Sequence, residues 1–262
     1  MPSDLLPFAD VPVWAVICVF VAHFIGFFIR GAFGFGSNMP IVLLTTWLLG
    51  PHHAILLVIF TATVAQVHLF PQGFRTADWT VTRPLILGMF VGVAVGTWLF
   101  TILAADWLTL LMGILITVVV AMDRLRLLER LTQYVDIRAR AVTSTLAAIS
   151  GGVGTVSGGG GIYFLVIYLK LACKTAASLR GTNLILAGFF ILVRVALLVP
   201  TGLITAPLLI EAALLSPVVL LGTWAGTRAF HVTEPRRFYD ALQLLLLLAA
   251  LALMFRGIAK VF

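Results

Sequence analysis

Three arginines, Arg30, Arg180 and Arg194, lie inside or at the border of strongly apolar stretches, and nothing acidic lies deep beside them. All ten Asp and Glu residues fall in loops or near the ends of apolar runs, with Glu211 the closest to an exception. A charge at membrane depth costs several kcal/mol unless it faces a cavity or finds a counter-ion. The missing counter-ion points to a passing anion. Arginine suits that duty because its planar fork offers paired donors to an oxyanion and stays protonated at any relevant pH. The competing reading is that Arg180 and Arg194, each about five residues from a span end, snorkel to the interface across about 1.5 Å per residue.

Two glycine-rich runs stand beside these arginines: Gly31-Ala-Phe-Gly34-Phe-Gly36-Ser37-Asn38, and a second from Gly151 through Gly154, Thr155, Ser157, Gly158 and Gly159 to Gly160 and Gly161. Where a helix restarts after such a break, free backbone N–H groups and the positive end of the helix dipole point into the gap. Glycines allow close backbone approach, and Ser37, Asn38, Thr155 and Ser157 add side-chain donors. Thr182 and Asn183 follow Arg180 directly, and Gln66 lies within the corresponding crossing of the first half. The candidate substrate-binding set is therefore Arg30, Gly34, Gly36, Ser37, Asn38, Gln66, Gly154, Ser157, Gly158, Gly159, Arg180, Thr182, Asn183 and Arg194. Close helix packing is the competing account of the glycines, and helix-to-helix hydrogen bonding that of the amides.

Neither glycine run is a nucleotide motif, since the Gly-Lys-Ser/Thr of a P-loop is missing. The five histidines have no carboxylate or cysteine at metal-ligand spacing, and no Ser/His/Asp or Cys/His set can be assembled at depth. The sequence thus predicts neither enzyme activity nor a cofactor or metal.

These residues must be held by membrane helices. Hydrophobic residues make up 61% of the 262 residues and charged residues 10%, with a mean hydropathy of +1.14, where a soluble domain carries about a quarter charged residues. Apolar runs fall at about 11–29, 38–49, 53–70, 84–104, 107–122, 141–150, 161–169, 175–199, 207–230 and 238–255. Those at 141–150 and 161–169 are each about half a crossing, so with the glycine break between them they read as a hairpin that enters and leaves on one side.

With the N-terminus placed outside, the short inward segments collect Arg75 and Arg83, five arginines between 124 and 140, Lys170 and Lys174, then Arg228, Arg236 and Arg237, leaving only Arg256 and Lys260 outward. The formal net charge of +7 is therefore mostly membrane topology, and nucleic acid is not an expected partner. The first apolar run follows Asp4 and Asp10 without a basic residue or convincing cleavage site, so it is expected to be retained.

The halves resemble each other. Gly31, Gly34 and Ser37 recur as Gly151, Gly154 and Ser157; Pro71 and Gly73 as Pro200 and Gly202; Gly92, Gly96, Thr97 and Phe100 as Gly222, Gly226, Thr227 and Phe230. The expected fold is an all-α polytopic transmembrane bundle of two inverted repeats, 11–122 and 141–256, each a broken hairpin followed by three crossings. A cytoplasmic linker at 123–140, read as a short surface helix, joins them. The Gly-x-x-x-Gly pairs are expected to serve helix packing.

The pattern resembles the sulfite exporter TauE/SafE family. The resemblance covers nearly the whole chain and rests on Gly31 through Pro40, Thr76-Ala-Asp78-Trp79, the repeated Gly-Thr blocks, Gly158 to Gly161, and Ala176 through Arg180-Gly-Thr-Asn183. It implies about seven to nine helices in two repeated halves and export of sulfite, sulfoacetate or a related organosulfur anion. Ser37-Asn38 stands where many relatives continue with glycine, so substrate choice is open to change. The expectation is a bacterial inner-membrane carrier, its N-terminus periplasmic, with alternating access as a uniporter driven by the membrane potential, or as a proton-linked carrier using His23. An anion channel and a non-transporting membrane subunit are the rivals, and a homodimer is left open.

Overall fold

A computed structural model describes residues 7–9, 11–34, 36–125, 127, 130, 139–159, 162–229 and 235–261. Among the described residues ten α-helices follow one another: α1 (Val13–Phe33), α2 (Asn38–Leu49), α3 (Pro51–Thr76), α4 (Trp79–Ile102), α5 (Ala105–Arg124), α6 (Arg140–Val156), α7 (Ile162–Ala172), α8 (Ala176–Leu198), α9 (Ala206–Ala229) and α10 (Pro235–Val261). Among the described residues six stretches are long and apolar enough to cross a membrane: α1, α3, α4, α5, α8 with its closing turn to Thr201, and α9. The protein is a polytopic membrane helix bundle.

Its surface is apolar where a soluble protein's would be polar. On α4 the residues Leu87, Val91, Val95, Trp98 and Ile102 are exposed at helical spacing, a stripe that suits lipid. The neighbouring face of α4, about 100° round the helix, carries Gly88, Gly92 and Gly96, which press on α6. A Cβ at Gly88 or Gly92 would overlap the carbonyl oxygen of Ser144 or Ala148, and one at Gly96 would lie 2.8 Å from that of Gly152. The α1–α9 seam is built in the same way, with Gly226 on the Phe28 carbonyl, Gly222 on that of Phe24 and Gly31 on that of Thr223. Lipid tails are as apolar as leucine, so helices associate here through close backbone approach rather than hydrophobic expulsion.

The most extensive contacts pair α4 with α6, α1 with α9, α5 with α10 and α3 with α8, followed by α9 with α3 and α4 with α8. Exchanging α1–α5 for α6–α10 maps these pairs onto one another. The short helix α2 is held by Met39 and Leu43 against Ile116, Val119 and Val120 of α5 and Leu246, Ala250 and Leu253 of α10.

One expected boundary moves, that of the second break. In the first half α1, with 21 residues at about 1.5 Å each, is long enough to cross alone and is followed by the short α2. In the second half α6 continues through Gly151 to Val156. Those glycines stay helical because they are packing surfaces: a Cβ at Gly151 would lie 2.8 Å from the Met89 carbonyl. The break starts only at Ser157. Gly160, Gly161, Phe230, His231 and most of the 123–140 linker lie outside the described residues.

The seam yields a paired test. Gly92→Ala drives a methyl into backbone and is expected to cost about 1–3 kcal/mol, read as a lowered Tm in detergent. Gly152→Ala, whose Cβ would meet its nearest atom at 3.4 Å, is expected to be neutral or slightly stabilising.

Candidate functional site

Positive φ angles mark both breaks. Gly34 has φ 80° and Gly36 φ 92°; Gly158 has φ 70° and Gly159 φ 131°, values that side chains with a Cβ rarely adopt. The α1 end closes with Gly34 N–H donating to the Arg30 carbonyl at 2.7 Å, and the second break with Gly159 N–H donating to the Gly154 carbonyl at 2.6 Å. The two breaks meet, since a Cβ on Gly159 would stand 2.6 Å from Cβ of Asn38.

A helix that stops within a bundle leaves carbonyls without partners, and α8 supplies donors to two of them. Arg180 donates from Nη2 to the Gly31 carbonyl at 2.6 Å, and Asn183 from Nδ2 to the Gly34 carbonyl at 2.8 Å. The Arg180 stem passes so close to Gly34 that a Cβ there would be 2.5 Å from its Cγ. A cation at a helix C-terminus also complements the dipole, which gives Arg180 a full structural role. Neither Arg180 nor Arg194 snorkels outward: they are 7% and 1% exposed.

Between the breaks lies a cavity lined by Arg30, Gly34, Gly36, Ser37, Asn38 and Met39 from the first, Gly159 from the second, and Asn183, Ala187, Phe190 and Ile191 from α8. The centre of a water molecule can move through about 20 Å3 of it, room for one ordered water. Arg30 is buried and donates to Gln66 Oε1 at 2.5 Å; Gln66 Nε2 donates in turn to the Leu184 carbonyl at 2.9 Å, which orients the amide. The ion pairs His53–Glu211 and Lys260–Asp106 involve neither Arg30 nor Arg194.

Other members of the sequence-derived set lie around this cavity rather than in its lining. Ser157 donates to the Val153 carbonyl at 2.6 Å, and Gly158 packs under Val42 and Ile55. Thr182 accepts the Asp78 backbone N–H at 2.8 Å, anchoring the α3–α4 turn. Asp78 in turn caps α4; its hydrogen bond from the Thr80 hydroxyl, at 2.6 Å, holds the carboxylate below its ordinary pKa.

Arg194 follows Asn183, Ala187, Phe190 and Ile191 on one helical face. Its guanidinium lies 5.1 Å from the Phe100 ring and 5.9 Å from that of Phe190, and its Nε and Nη2 have no hydrogen-bond partner. Glu211 is buried and is not among the residues that line the cavity; it is hydrogen-bonded to His53 Nε2 at 2.5 Å and accepts the Phe8 N–H at 2.9 Å. Sequence reasoning missed the apolar wall of Met39, Ala187, Phe190 and Ile191. The spacing of Ala187, Phe190 and Ile191 from Asn183 along α8 was the signal available.

The family model described as sulfite exporter TauE/SafE matches residues 18–253. No curated protein and no solved structure matches the chain.

Arg180→Met removes a charged donor from the opened α1 end. It is expected to cost about 1.5–3 kcal/mol, with Arg180→Lys recovering part of the loss, both measured by thermal unfolding in detergent.

Proposed function

The chain belongs to the sulfite exporter TauE/SafE family, a family of membrane transporters of sulfur anions, and on that premise we propose that it carries sulfite or a small organosulfonate out across a bacterial inner membrane. The observation that carries this reading is Arg30: a buried guanidinium whose described hydrogen-bond partner is a neutral amide, lining a cavity shared by both helix breaks. An oxyanion entering there gains charge-assisted donors from a group already held in place by Gln66. The cavity as it stands is too small for such an anion. That favours a closed carrier state over an open pore.

The transport cycle proposed is alternating access between two inverted halves, 11–122 and 141–256, joined by the 123–140 linker, and the exchange symmetry of the helix contacts supports it. The inward mouth is a basin of about 750 Å3 whose lining includes Arg83, Arg140 and Lys174. Its basic side faces the cytoplasm by the positive-inside rule, with the N-terminus periplasmic, and its charge concentrates anions at the entrance. No carboxylate is among the residues that line the cavity. A uniport mechanism therefore fits, because an interior-negative potential favours exit by about 2.3 kcal/mol per charge per 100 mV. Arg194 is a second guanidinium station on the same path, reached past the Phe190 ring.

Proteoliposomes loaded with sulfite test this directly. Efflux is expected to speed up under an imposed potential and to fall about tenfold or more in Arg30→Ala. Efflux that ignores the potential and requires a pH gradient would refute uniport. Arg194→Met is expected to raise Tm, since an unpaired buried charge is replaced by an apolar side chain, while lowering transport; unchanged transport would remove Arg194 from the path.

A further inference from the structure

Asn183 is 1% exposed and lines the cavity beside Arg30. Its amide is not free to turn. Nδ2 donates to the Gly34 carbonyl at 2.8 Å, and a flipped amide would set oxygen against oxygen at the opened end of α1. Its Oδ1 is thereby committed as an acceptor, and among the described residues no group donates to it. The nearby hydroxyl of Ser37 is already engaged, donating to Asn38 Oδ1 at 2.8 Å. The Gly34 N–H is used as well, on the Arg30 carbonyl.

An anion site made only for negative charge would present donors on every side. This one presents a guanidinium together with a fixed, buried, unfilled acceptor. In this closed state the oxygen is beyond the reach of a water in the cavity and stays unfilled. When the cavity widens around a ligand, one that brings a donor to it gains a hydrogen bond that a ligand without a donor does not.

We propose that Asn183 selects, among small sulfur anions, those that carry an O–H or N–H donor next to the anionic group. This rests on the anion-binding reading of the cavity given above and narrows its substrate class. For sulfite the carried species is then the hydrogensulfite monoanion rather than the dianion. Among organosulfonates, those bearing a hydroxyl or amino group near the sulfonate are preferred over plain alkanesulfonates. The selection acts through an unmet hydrogen bond, the kind of contact that discriminates well between isosteres.

The test uses the isosteric monoanions hydroxymethanesulfonate and ethanesulfonate, which differ by OH in place of CH3. Their binding to the purified full-length protein is measured by calorimetry and by thermal shift. Hydroxymethanesulfonate is expected to bind about tenfold or more tightly, and Asn183→Leu is expected to bring the ratio close to one. Because that variant also uncaps Gly34 and its fold is at risk, Asn183→Ser, which retains an acceptor on a smaller side chain, is measured alongside and is expected to keep part of the preference. Equal binding of the two anions by the wild-type protein overturns the role of Asn183 and leaves the anion site standing. A preference that survives intact in a folded Asn183→Leu variant overturns it too. Binding of neither anion, nor of sulfite, by a protein that unfolds cooperatively defeats the anion-site reading itself.

Discussion

A helix that ends inside a membrane protein must find partners for carbonyls that neither water nor lipid will satisfy. The rest of this molecule is arranged around one such end. The α1 chain stops at Gly34, and α8 reaches across with Arg180 and Asn183 to take the carbonyls of Gly31 and Gly34. Those two bonds tie the first half to the second and hold the break open. They also fix the direction in which the Asn183 amide presents its oxygen.

The three deep arginines thereby separate into three roles. Arg180 completes a helix end, Arg30 is braced by the Gln66 amide at the cavity, and Arg194 lies between the rings of Phe100 and Phe190 with two donor atoms unpartnered. Chemically identical side chains diverge because a guanidinium is defined by what stands opposite its five donors. A backbone carbonyl makes it structural, a neutral amide positions it without cancelling its charge, and aromatic faces leave its edge unsatisfied.

The glycines divide along a similar line. Those at helical φ, such as Gly88, Gly92 and Gly226, are seams where one backbone lies against another. Those at positive φ, Gly34, Gly36, Gly158 and Gly159, are the breaks themselves. From sequence alone both kinds look the same, which is why the second break was expected at Gly151 and found at Ser157. A glycine says only that a Cβ is missing, and whether the freed space admits a turn or a neighbouring helix depends on what packs there.

Much was legible before any coordinates. An apolar excess with sparse charge determines a membrane bundle because no aqueous packing hides that surface, and the placement of Gly-rich runs beside lone arginines marked the region where the cavity lies. Family membership was legible in the same motifs. What only the tertiary structure decided was which polar groups meet across 36 to 149 positions of sequence: Arg30 with Gln66, Arg180 with Gly31, Asn183 with Gly34. Helical periodicity determines which face of a helix a residue occupies. The partner on that face is set by how helices distant in sequence cross, and that crossing depends on the glycine seams of both halves packing at once.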